Sequence, residues 1–165
     1  MNIFFLHKDP QWAANALCDK HVPKMLLESA QMLSTAVQKY TDRIEELYKP
    51  AYPNHPMTKW VGFNRDCFRW ALENAVFISQ EYYKRFSKLH KSSRIINNIY
   101  DNNYIDDIPD GFFKEPPQCM PDEYKDDESL PMEHDLHYLR NRVKDIIRDY
   151  DRDFNKAMEE MEKQK

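Results

Sequence analysis

The sequence predicts an all-α fold, a compact bundle of three to five helices preceded by a short extended N-terminus. Three observations carry that prediction. Apolar residues recur at steps of three and four along most of the chain, the period of an amphipathic helix. Only two glycines, Gly62 and Gly111, occur in 165 residues, too few for a series of tight hairpins, a Walker loop, a GxGxxG turn or a DNA-binding hairpin between helices. A composition 41% apolar, with nine Phe, ten Tyr and three Trp, suffices for one core built from large rings. One helical domain is therefore expected over residues 1–165, with a charged tail at 155–165 that frays.

Asn2–Leu6 reads as the extended start. Asp9-Pro10 then supplies an N-cap followed by proline at the first helical position, where no amide donor is needed. Ala13, Ala16, Leu17, Met25, Leu26, Ala30, Leu33 and Val37 continue the helical spacing. A kink or break is expected at Pro23, which lacks a donor and crowds the preceding turn. Residues 41–56, with Pro50, Pro53 and Pro56, read as a connection. His55-Pro56 opens a second long helix, carried to about His90, with a stripe of Trp60, Phe63, Cys67, Trp70, Ala71, Phe77 and Ile78.

Within that helix Gly62 weakens the first turns. Asn74 interrupts the stripe, so that turn is either partly exposed or its amide is satisfied locally. Ser92 or Ser93 is suited to cap a shorter helix holding Ile95, Ile96 and Ile99. Residues 101–131, with five prolines, read as irregular and mostly extended. From Glu133 to Met161 a heptad-like stripe of Leu139, Val143, Ile146, Tyr150, Phe154 and Met161 predicts a last helix.

Several chemistries are disfavoured. Cys18, Cys67 and Cys119 are odd in number and widely spaced, which fits reduced thiols, and nothing marks any of them as an activated nucleophile. The apolar run at the start is too short for a signal peptide, and no segment approaches the ~20 apolar residues of a membrane span, so a cytoplasmic location without membrane attachment is expected. Of six histidines only His134 and His137 have ligand-like spacing, and no HExxH or CxxC occurs, so neither a metal nor another cofactor is expected. The net charge of −4 hides an asymmetry: residues 1–100 carry 14 Lys/Arg against 9 Asp/Glu, and residues 101–165 carry 10 against 19. The basic half reads as ordinary solvated surface or as a footprint for phosphates.

The densest candidate site is Cys18-Asp19-Lys20-His21-Val22-Pro23-Lys24-Met25-Leu26-Leu27-Glu28. On a helix Lys20, His21, Lys24 and Glu28 share one face. Two ammonium groups, an imidazole and a carboxylate so arranged form a stripe suited to phosphate binding and proton transfer, or else a solvated face with a Lys24–Glu28 pair. A second polar set, Asn54, His55, Asn64, Arg65 and Arg69, gathers at the start of the long helix. Asn54 and His55 read first as caps, while Arg65 and Arg69 suit phosphate contacts. Trp60 and Trp70 read first as core and secondarily as a surface for a stacked base. Glu81-Tyr82-Tyr83-Lys84-Arg85 with Lys88, His90, Lys91 and Arg94 is the most basic stretch.

The phrases CDKHVPKMLLESAQMLSTA, NHPMTKW, EYYKRF and MPDEYK resemble those of a group of small proteins encoded by tailed phages, cyanophages included. The layout also resembles the pyrimidine-dimer DNA glycosylases of the endonuclease V type, small all-helical phage enzymes with a strand-like N-terminal start among the helices. Their first helix carries a basic–Glu–apolar–Pro–basic run, matched here by Lys20-His21-Val22-Pro23-Lys24. That resemblance implies an amine at the chain's start as the nucleophile on sugar C1′, so Met1 and Asn2 become candidates. Asn2 is bulky enough usually to block removal of Met1. It also implies Lys20 and Lys24 as phosphate clamps, and it puts His21 where the family has its catalytic glutamate. Imidazole can move a proton but cannot offer the negative charge that steadies an oxocarbenium-like sugar; Glu28, two turns along, is the carboxylate expected to do so.

The function expected on these grounds is action on a base or N-glycosidic bond of DNA. His21, Glu28, Met1 and Asn2 would carry the chemistry, and Lys20, Lys24, His55, Asn64, Arg65 and Arg69 would hold the nucleic acid. Two other classes compete: an enzyme on free nucleotides, and a non-catalytic factor that meets a host or phage protein through the acidic C-terminal helix.

Overall fold

The computed structural model describes residues 2–119. Met1, the helix expected over Glu133–Met161 and the tail at 155–165 lie outside the described residues. Five α-helices occur among the described residues, α1 (Pro10–Asn15), α2 (His21–Val37), α3 (Pro56–Val61), α4 (Arg65–Phe86) and α5 (Lys91–Asp101), followed by a 3-10 turn at Tyr104–Asp107. No strand is present among the described residues. The helices are bundled around α4, which packs on α1, α2, α3 and α5. The all-α class thus holds across this part of the chain.

The extended start is the organising feature. Ile3, Phe4, Phe5 and Leu6 are all buried. The Leu6 amide turns back to the Phe4 carbonyl at 3.0 Å, a tight turn centred on Phe5, so the four buried side chains point in several directions and need cover on more than one side. Phe4 packs on His21 of α2 with ring centroids 5.1 Å apart. Phe5 packs on Trp70 of α4 at 4.6 Å and on Phe113 at 5.9 Å. The segment is therefore threaded between α2 and α4.

Asp9 caps α1 as its sequence requires, its carboxylate accepting from the amides of Gln11 at 2.8 Å and Trp12 at 3.0 Å. The break between α1 and α2 does not fall at Pro23. It comes earlier, at residues 16–20, and Pro23 sits in the first turn of α2, where its missing donor costs nothing. Arg85 holds this turn from α4. It donates to the carbonyl oxygens of Leu17 at 2.6 Å and Asn15 at 3.2 Å, and it pairs with Asp19 and the buried Glu81.

The second long helix is likewise two. Gly62 and Phe63 separate α3 from α4, and Asn64 starts α4 by accepting the Cys67 amide at 3.0 Å. Gly62 permits the turn by close approach: a Cβ there would lie 3.1 Å from the Ala36 Cβ. α4 ends at Phe86, before His90, where Ser87 adopts φ 52°. α5 is capped not by Ser92 or Ser93 but by His90, whose Nδ1 accepts from the Ser92 amide at 3.1 Å. Asn74 is buried and satisfied through tertiary structure, donating to the Pro10 carbonyl at 2.9 Å. Trp60 and Trp70 are core, with rings 6.0 Å apart in a T-shaped pair.

Candidate functional site

Threading the start between α2 and α4 sets the direction of the N-terminus along α2. Phe4 lies against His21 at the beginning of that helix, and Asn2 lies two turns further along it. There the Asn2 backbone N–H donates to Glu28 Oε2 at 2.7 Å. The two segments run antiparallel: the two extended residues from Phe4 back to Asn2 advance ~7 Å, while His21 to Glu28 rises ~10.5 Å. Asn2 is fixed at its other end by donation from Nδ2 to the Cys119 carbonyl at 3.4 Å. Its Oδ1 accepts the Ile3 amide at 2.9 Å.

Glu28 is mostly covered, with 14% of its side chain exposed, and Lys24 lies one turn back with Nζ 4.0 Å from Oε1. His55 lies within electrostatic reach of the same group. Burial lowers its proton affinity below the ordinary histidine range, the positive amino terminus lowers it further, and Glu28 opposes both. His55 caps α3, its Nδ1 accepting from the Met57 amide at 3.2 Å. That bond fixes the neutral tautomer with the proton on Nε2. The Asn2 backbone, Lys24 and Glu28 therefore form one polar cluster, with His55 within electrostatic reach of Glu28. His21 stands two turns from it on α2, against Phe4, and Lys20 is exposed at the N-cap.

The remaining residues singled out in the sequence stand apart. Asn64 is buried and divided between the Cys67 amide and the Phe112 carbonyl, to which Nδ2 donates at 2.7 Å. Arg65 pairs with Asp110 at 2.7 Å and donates to the Asp106 carbonyl at 3.3 Å. Arg69 pairs with Asp66 at 2.7 Å. In the basic stretch Lys84 and Arg85 both engage Glu81, and Arg94 engages Glu46. The Cys67 thiol is pushed up by burial, which removes it as a nucleophile.

Two concavities flank these elements. One, of about 770 Å³, lies between α5 and the loop bearing Glu46 and Tyr48. Its wall mixes Glu46 and Asp101 with Lys91 and Arg94. The other, of about 540 Å³, runs between the C-terminal half of α2 and α3, along Thr35, Lys39, Asn54, Thr58, Lys59 and Phe63. No carboxylate among the described residues lines it. Thr35 lies on the Glu28 face of α2, seven residues on, so this groove continues the surface that begins at the N-terminal cluster. The sequence does not mark it, because its residues come from two helices and a loop and share no short-range pattern.

Among the described residues no helix is long and apolar enough to cross a membrane, and no three His, Cys, Asp or Glu side chains gather as a metal site. Comparison with known protein families, characterised proteins and solved structures finds no match to this chain.

Proposed function

We propose that this protein binds DNA and acts on a base at its N-glycosidic bond, as a diverged relative of the pyrimidine-dimer glycosylases. The observation that supports this reading is the 2.7 Å hydrogen bond from the Asn2 backbone nitrogen to Glu28. A carboxylate beside the start of the chain is what an amine nucleophile on a sugar requires. The attacking amine belongs to Met1, or to Asn2 where Met1 is removed. Its lone pair forms the bond to C1′ while the C1′–N bond to the base breaks, and the departing base carries off that electron pair and takes a proton. Opening of the sugar ring leaves an imine. Loss of a proton from C2′ then expels the 3′ phosphate and breaks the strand.

Glu28 has two parts in this sequence. Its charge stabilises the cationic sugar, and it accepts the C2′ proton. Its distance from His21, two turns along the same helix face, explains how a histidine occupies the position of the family's glutamate while a carboxylate is still supplied. His55, kept neutral near pH 7, offers Nε2–H as a donor beside that carboxylate. Lys24, and Lys20 at the mouth of α2, face the phosphates.

The test is incubation of the full chain with duplex DNA that has been ultraviolet-irradiated or carries one abasic site, with borohydride present to reduce the imine. A covalent adduct mapping to the α-nitrogen of residue 1 or 2 is expected. Glu28→Gln keeps the hydrogen bond from Asn2 but should lower strand cleavage by about 10²–10³-fold. Absence of adduct, cleavage and low-salt DNA binding in the wild-type protein would retire the proposal.

A further inference from the structure

We infer that the groove between α2 and α3 binds the phosphoryl group of a nucleotide, with the attached base resting on Phe63. The wall supplies positive charge without a counter-charge: Lys39 and Lys59 line it, no Asp or Glu among the described residues does, and neither lysine takes part in an ion pair among those residues. In a chain of net charge −4, a concavity lined by one sign of charge concentrates anions.

Thr58 adds a second, independent sign. It is 3% exposed, and its hydroxyl has no hydrogen-bond partner among the described residues. A helical threonine usually satisfies this oxygen by donating to the carbonyl one turn back. An unmet buried hydroxyl costs roughly 1–3 kcal/mol; Thr58 lines the groove with its hydroxyl covered by the wall, so a phosphate oxygen accepts its proton once a small shift of that wall uncovers it. Asn54, exposed on the loop before α3, offers a further amide.

Phe63 identifies the rest of the ligand. The residue is 48% exposed and lines the groove, and the Lys114 ammonium lies over one face of its ring, 4.1 Å from the centroid. An exposed ring beside a cationic groove is the arrangement on which a base stacks. An acidic peptide would use the lysines but has no need of the ring. The groove also lies in register with the N-terminal cluster, since Glu28 to Thr35 rises ~10.5 Å along α2, about three phosphate steps of a B-form strand. The inference thus deepens the proposed function by placing a flanking nucleotide of the same strand. It rests on that reading for the strand context alone, because the same chemistry would take a free nucleotide.

The experiment titrates the full-length protein with deoxyadenosine monophosphate, with inorganic phosphate and with a short single-stranded oligonucleotide, following backbone amide shifts and affinity. Shifts centred on Thr58, Lys59 and Phe63 are expected. The double variant Lys39→Gln/Lys59→Gln should bind oligonucleotide at least tenfold more weakly, with a salt slope shallower by about 1.4, for two single-strand phosphate contacts. Thr58→Val should weaken all three ligands, with Thr58→Ser restoring them. Phe63→Ala should weaken the nucleotides and leave inorganic phosphate unchanged.

Oligonucleotide binding that far exceeds the monophosphate assigns the groove to a strand, and comparable binding assigns it to free nucleotides; either outcome supports the site. Unchanged affinity in the folded lysine variant, or shifts in this groove produced by an acidic peptide and by none of the phosphates, would overturn it. No cleavage enters these readouts. A wild-type protein that traps no imine but loses nucleotide affinity with Lys39 and Lys59 would end the glycosylase reading and leave the groove standing.

Discussion

His7, His55 and His90 cap the backbone in the same way. Each ring accepts a backbone amide two residues further on, from Asp9 at 2.9 Å, Met57 at 3.2 Å and Ser92 at 3.1 Å. An accepting nitrogen must be unprotonated, and burial lowers the proton affinity of both His55 and His90, with the amino-terminal charge adding to the effect at His55. A base whose folded pKa lies below its unfolded value stabilises the fold fully above the unfolded value, ~6.5 for histidine, and loses that contribution as pH falls through the folded one. The urea midpoint should therefore fall between about pH 7 and pH 5, and His55→Asn/His90→Asn, which preserves a capping oxygen, should flatten that limb. Glu81 answers in a separate window. Burial raises its pKa, but hydrogen bonds from Arg85 and Lys84 outweigh burial and leave it lowered, so its contribution is lost only below about pH 4.3. An unchanged slope above pH 5 in the double variant would refute the role given to the histidine caps.

Among the helices, the joins were harder to read than the bodies. The apolar stripes of α2 and α4 were legible because a period near 3.6 needs no partner to be recognised. The split between α3 and α4 was not, since Trp60, Phe63, Cys67 and Trp70 keep helical spacing straight through it. What makes the break is a contact from far along the chain. Asn64 turns its amide to the Phe112 carbonyl, and the space above it is filled by Gly111, where a Cβ would lie 2.8 Å from the Asn64 side chain. Asn64→Ala should cost about 1–2 kcal/mol through the lost cap, and Gly111→Ala about 1–3 kcal/mol through overpacking. Because the two share one space, the double variant should be less destabilised than the sum of the singles in denaturant titrations. Simple additivity would show that Gly111 matters for some other reason. The cluster at Glu28 was legible in the same partial way: its residues stood out in the sequence, but their meeting with Asn2 depends on how the extended start is threaded.

Taken over the molecule, the two kinds of cation divide their work. Every arginine among the described residues, Arg43, Arg65, Arg69, Arg85 and Arg94, is paired with a carboxylate, as suits a planar group with several donors. Among the lysines, Lys84 pairs with Glu81 and Lys24 lies 4.0 Å from Glu28, whereas Lys39 and Lys59 in the groove and Lys20 at the mouth of α2 take part in no ion pair among the described residues. The excess of positive charge in residues 1–100 was visible in the sequence, but its division was not, because pairing joins residues such as Arg94 and Glu46 that lie 48 positions apart. DNA affinity should accordingly fall linearly with log salt, with a slope of about −2 to −4 for a few neutralised phosphates, and Arg65→Gln or Arg69→Gln should change that slope less than Lys39→Gln/Lys59→Gln. A larger loss of slope from the arginines would reverse this assignment.

The tryptophan pair has an optical consequence. Trp60 donates its indole proton to the Lys114 carbonyl and Trp70 to that of Lys8, each at 2.8 Å, so the two rings are tethered to opposite ends of the described chain while facing one another. Trp12, by contrast, is 67% exposed. The protein thus carries two chromophores whose mutual orientation survives only while both ends are docked, and a third that reports solvent. The tryptophan contribution to near-ultraviolet dichroism should fall when either end detaches, even with the helices intact, whereas the tryptophan fluorescence reached by an aqueous quencher should come mainly from Trp12 until that moment.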